Sequence, residues 1–86
     1  VNIGGVIIDF IDHQFKMGGG SVSISSHEFG NIKLHGLDKY GVLHNTSSYE
    51  REWRRLREKE LLTGVSIEEE ANNSREKTWI IKPLKR

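Results

Sequence analysis

The residues best suited to chemistry in this chain are histidines and carboxylates in two short stretches. His27-Glu28-Phe29-Gly30 opens like the zinc-protease signature H-E-x-x-H. In that signature two histidines one helical turn apart hold the metal and the glutamate acts as the base. The match fails at its last position, which is Asn31. His35 lies well beyond it, ~12 Å from His27 along a helix at ~1.5 Å per residue. Zinc–nitrogen bonds of ~2.0–2.1 Å do not bridge that distance. The other stretch holds Asp9, Asp12 and His13. On a helix the two aspartates stand one turn apart, and solvation is expected for both. His13, His27, His35 and His44 are scattered, so surface or capping roles are expected for them. There is no cysteine, and P-loop, Rossmann, G-x-S-x-G and EF-hand patterns are all missing. These readings point to a chain that is not an enzyme and has no cofactor or metal.

A third constellation is polar and basic. His44, Asn45, Thr46, Ser47 and Ser48 are short polar residues at the start of a helix, and Arg51, Arg54 and Arg55 follow on one face of it. Such side chains reach base edges in a major groove while helix N–H groups meet phosphates. Asparagine pairs with adenine and arginine with guanine, each worth ~1–3 kcal/mol of discrimination. A second basic segment contains Asn73, Ser74, Arg75 and Lys77, then Lys82, Lys85 and Arg86, and suits a clamp on phosphates or a minor groove. The formal net charge is only +1, with acids gathered at Glu68, Glu69 and Glu70, so the basic segments imply a local positive face. The plainer reading is a solvated helix face on which pairs such as Glu50–Arg54 weaken the field. Tyr49 and Trp53 are expected in the core, and Trp79 is expected to pack a β-hairpin against the helices.

At 86 residues the chain is expected to form a single domain, 1–86, with a modest core. Hydrophobic content of 35% and charged content of 29% suit a soluble globular domain. No apolar run approaches the ~20 residues that span a bilayer. No signal-peptide pattern is visible, and a cytoplasmic or nucleoid/nuclear location without membrane contact is the expectation.

The elements that must position these groups follow from periodicity. Ile3, Val6, Ile7, Phe10, Ile11 and Phe15 form one helical stripe, capped by Asn2 and ended by Gly18-Gly19-Gly20, which predicts a helix over about 3–16. Ser21 to Ser25 is β-prone. Ser25 and Glu28 match a capping box, and Phe29, Ile32 and less cleanly Leu37 predict a second helix over 27–39, with Gly41 as its C′ residue. Ser47 and Glu50 match another capping box, and Tyr49, Trp53 and Leu56 predict a helix over 46–62 closed by Leu61 and Leu62. Residues 65–82 read as a hairpin that turns at Asn72-Asn73-Ser74, with Pro83 ending the last strand or sitting on its edge. A third capping-box match, Ser66 and Glu69, leaves open whether residues 66–71 are strand or short helix. The fold class is therefore mainly α with a small β-sheet, in the order α1-β1-α2-α3-β2-β3.

Gly36 to Leu62, GLDKYGVLHNTSSYEREWRRLREKELL, resembles the turn and recognition helix of the winged helix-turn-helix superfamily. Lys39-Tyr40-Gly41-Val42 matches its turn, Asn45 to Ser48 the polar start of its recognition helix, and Arg54 to Leu62 its arginine-rich end. There are two departures. Gly36-Leu37 stands where a small alanine is usual, and Glu60 stands where a glycine usually precedes the Leu-Leu pair. The resemblance implies double-stranded DNA binding through the helix at about 46–62 and a wing at about 65–82. Its bearer would be a small transcription regulator or the DNA-reading module of a larger replication, recombination or restriction protein. The alternative is a winged-helix protein-interaction or homodimerisation module without nucleic acid. Gly4 to Asp12 also resembles a stretch around a magnesium-binding aspartate of the ribonuclease E/G family, which would make Asp9 a ligand. Nothing else in the chain supplies that enzyme's second carboxylate strand or body.

Overall fold

The apolar stripe of the first residues folds as helix α1 (Ile3–Gly18) in the computed structural model, which describes residues 2–71 and 76–84. It is followed by β1 (Val22–Ser25), α2 (Glu28–Tyr40), α3 (Thr46–Glu58), β2 (Val65–Ala71) and β3 (Lys77–Pro83), a winged-helix arrangement. Asn2 caps α1 as expected, its Oδ1 accepting from the Gly5 N–H at 2.7 Å. The three strands form one antiparallel sheet in the order β1-β3-β2. Residues 66–71 are strand, so the third capping-box match starts no helix. Strand β3 is central and carries the register, with Ile81 opposite Val22 on one side and Ile67 on the other. Pro83 is the last residue of that strand, and the Leu84 N–H donates to Gly64 O at 3.0 Å to close the base of the hairpin. The expected turn at Asn72-Asn73-Ser74 lies outside the described residues.

One core joins all three layers. Val6, Ile7, Phe10 and Ile11 of α1 meet Phe29 and Ile32 of α2, then Tyr49, Trp53 and Leu56 of α3, and Val22, Ile24, Trp79 and Ile81 of the sheet. The indole of Trp79 stands edge-on to Trp53 with ring centroids 5.9 Å apart, which fastens the hairpin to α3. Leu37, expected on the apolar stripe of α2, is instead exposed, and Gly36 takes the buried position. The absent side chain of Gly36 lets the helices approach. A Cβ there would lie 2.7 Å from Tyr49 Oη and 3.0 Å from Val6. Gly41 ends α2 in the left-handed conformation (φ 67°), with its N–H donating to Leu37 O.

Three local expectations are overturned. Ser25 does not cap α2, because its backbone belongs to β1 opposite Thr78 and the helix begins only at Glu28. Glu28 accepts from Asn31 Nδ2 instead. Ser47 does not cap α3, because the extended backbone of Asn45 (ψ 152°) starts the helix at Thr46 and leaves Ser47 inside its first turn. Helix α3 also stops at Glu58 rather than near 62. The Leu61 N–H bonds Leu56 O at 3.0 Å and the Glu60 N–H bonds Arg57 O at 3.2 Å, with Glu60 at φ 51°. That bond pair with a left-handed C′ residue is a Schellman ending.

Candidate nucleic-acid interface

Helix α3 is anchored on one side only. Tyr49, Trp53 and Leu56 are buried, and Ser47, Arg51, Arg54, Arg55 and Glu58 are exposed as the helical wheel predicts. At its start Asn45, Thr46 and Ser47 are exposed, while Ser48 is half-buried with its N–H bonded to Asn45 O. The Asn45 side chain makes no cap hydrogen bond, so the first amides of the helix have no side-chain partner. Unclaimed N–H groups and the helix dipole together favour an anion at that end. His44 is half-buried and turns its ring edge-on to Tyr49, with centroids 6.1 Å apart.

The arginines differ in what holds them. Arg55 forks onto Glu52, with Nε and Nη2 each 2.8 Å from a carboxylate oxygen, and Arg54 Nε donates to Glu58 at 2.9 Å. The expected Glu50–Arg54 pair is thus replaced by Arg54–Glu58 and Arg55–Glu52. The pairing lowers the carboxyl pKa of both Glu52 and Glu58 and raises that of both guanidiniums. Arg51 has no ion pair among the described residues. Of the wing residues, Lys77 is exposed at the start of β3 with its Nζ 3.7 Å from Glu69. Asn73, Ser74 and Arg75 lie outside the described residues, as do Lys85 and Arg86.

The histidine and aspartate groups fall elsewhere. His27 is exposed, 3.8 Å from Glu76, whereas His35 lies against α1. Asp9 is not simply solvated. Its carboxylate accepts from Lys39 Nζ at 2.9 Å and, being ionised, from the His35 Nε2–H at 2.7 Å. Those two bonds, that from Lys39 the stronger, hold its pKa down to about 2. No group of three or more His, Asp or Glu suited to a metal ion occurs among the described residues. No described helix is long and apolar enough to cross a membrane.

Arg57 was not singled out by its sequence context. Its guanidinium lies 4.4 Å from the centroid of Trp79 and 5.7 Å from that of Trp53. The signal was present: Arg57 follows Trp53 by one helical turn and so shares the edge of the buried stripe. Comparison with protein-family models, with curated proteins and with solved structures finds no match to this chain.

Proposed function

We propose that the chain is a winged helix-turn-helix domain that binds double-stranded DNA, with α3 entering the major groove and the β2–β3 wing touching the flanking backbone. The observation that carries this reading is the start of α3. Exposed Asn45, Thr46 and Ser47 and uncapped amides stand in line with Arg51, which has no carboxylate partner among the described residues. The ion pairs of Arg54 and Arg55 do not oppose the reading. Exposed pairs are worth only ~0–1 kcal/mol, and a phosphate is a comparable or better partner. The bearer is a small regulator or the DNA-reading part of a larger replication, recombination or restriction protein, acting in the cytoplasm, nucleoid or nucleus.

Fluorescence anisotropy with a mixed-sequence duplex across a salt series tests the proposal. Binding should weaken steeply with salt, by a log–log slope of about −0.9 for each phosphate neutralised. Arg51→Ala should weaken it about tenfold or more, and more than Arg55→Ala does, while leaving the denaturation midpoint unchanged. No duplex binding at low salt would sink the reading.

A second reading, a protein-interaction or homodimerisation module, is supported by Leu34 and Leu37 on one face of α2 and Leu43 just after it, which are 55%, 40% and 69% exposed. A duplex-independent dimer in sedimentation, dispersed by Leu34→Lys, would favour it.

A further inference from the structure

Between the start of α2, one side of α3 and the start of β3 lies a concave pocket of about 250 Å³. Its wall combines Phe29, Trp53 and Trp79 with Arg54, Arg57 and Lys77, and Ser26 and Glu50 complete it. Three cations thus face one carboxylate across an aromatic floor.

Arg57 is the unusual group. Its guanidinium lies over the Trp79 ring, and its Nε is buried with no hydrogen-bond partner among the described residues. Burial lowers its affinity for the proton, against the attraction of Glu69 and Glu58. Both of those carboxylates are engaged by other donors. Glu58 accepts from Arg54, and Glu69 accepts from Trp79 Nε1 at 3.2 Å and pairs with Lys77. Independently, Trp53 is 1% exposed and its Nε1 also lacks a partner among the described residues. Two buried donors without partners, on residues that line one pocket, are costly unless something supplies acceptors. Contact with the two indole rings limits the freedom of the guanidinium, and its planar fork suits an oxyanion that accepts two bonds at once.

We propose that this pocket binds a phosphate ester, with Arg57, Lys77 and the Trp53 indole N–H directed at the phosphate and the aromatic floor under the attached sugar. The volume falls below the ~300–1,000 Å³ of ordinary small-molecule sites, which suits a sugar phosphate unit and not a whole cofactor. Two sources share that chemistry: one unit of a DNA backbone, or a free nucleotide. The first rests on the DNA-binding reading and the second does not.

The chain has only two tryptophans, and both line the pocket, so its indole N–H resonances report on this site alone. The test is titration of ¹⁵N-labelled protein with 2-deoxyribose 5-phosphate at constant ionic strength, with deoxyribose and acetate as controls. Saturable movement of the Trp53 indole resonance is expected with the phosphate ester only. Arg57→Gln should weaken it about tenfold or more, in line with loss of charge-assisted hydrogen bonds. Lys77→Gln, which removes an exposed side chain and leaves the fold intact, should weaken it several-fold. Arg51→Ala should leave it unchanged. Movement with a duplex as well, weakened by Arg57→Gln, identifies the backbone as the source. Movement with the sugar phosphate but not with a duplex identifies a free nucleotide. No saturable movement, an equal response to acetate, or full affinity in both Arg57→Gln and Lys77→Gln overturns the proposal.

Discussion

Gly36 determines how near helix α2 can lie to its neighbours. A Cβ at this position would meet Tyr49 Oη, Val6 and Val42 at 2.7, 3.0 and 3.2 Å, all inside ordinary contact. Gly36→Ala should therefore destabilise the domain by about 1–3 kcal/mol, the usual cost of overpacking, despite the better helix propensity of alanine. The Tyr49 hydroxyl adds a second constraint, for it is buried without a hydrogen-bond partner among the described residues. Burial also raises its pKa. Tyr49→Phe should then be neutral or stabilising, because it removes an unsatisfied polar group. Combined with Gly36→Ala it should recover part of the loss, since both changes act on one gap. Urea denaturation of the four proteins of the cycle measures the coupling, and strict additivity would show that the hydroxyl is not the obstacle. In the sequence this glycine looked like a departure from a small-alanine pattern. That it is the small residue the packing needs depends on Tyr49 and Val6, which no local pattern places beside it.

Helix ends show where local reading succeeds and where it stops. Glycine signals were legible: Gly41 terminates α2, and the Gly18 to Gly20 run terminates α1. The end of α3 was not, because the left-handed C′ residue there is Glu60, and only the glycine usual at that position in the resembled superfamily hinted at the role. The capping boxes failed for a related reason. S-x-x-E occurs at Ser25, Ser47 and Ser66, yet strand pairing claims Ser25 and Ser66, and the extended Asn45 backbone starts α3 before Ser47. The apolar stripes survived because burial of a whole face outweighs one side-chain hydrogen bond. The strain at Glu60 can be measured. A non-glycine residue in the left-handed region costs ~1–2 kcal/mol, and glycine there loses ~0.5–1 kcal/mol of that advantage through its freer unfolded chain. Glu60→Gly should accordingly raise stability by roughly 1 kcal/mol and move the thermal midpoint up by several degrees. An unchanged or lower midpoint would mean that the Schellman ending is not strained.

For the molecule as a whole, the tie between α1 and α2 matters because a domain of this size has little core to spare. Asp9 of α1 holds His35 and Lys39 of α2, bridging positions that lie 26 and 30 residues apart in the chain. The His35 ring is also fixed edge-on to Phe10. The sequence offered Asp9 either as a solvated aspartate or as a metal ligand, and neither choice pointed to partners on another helix. The tie makes stability depend on acid. The pKa of Asp9 falls from 3.8 to about 2 on folding, so the folded state releases the proton more readily than the unfolded chain does. Its contribution is therefore fully present above pH ~4, the ordinary range of an aspartate, and is lost as the pH falls toward 2. Lys39 is shifted upward by the same contact and keeps its charge throughout this window. Asp9→Asn should be less stable than the parent at pH 7 and should converge on it between pH 4 and 2. Urea midpoints taken at half-unit steps from pH 6 to pH 2 would reveal the convergence. If the two curves stay parallel, the Asp9 contacts are no tighter in the folded domain than in water.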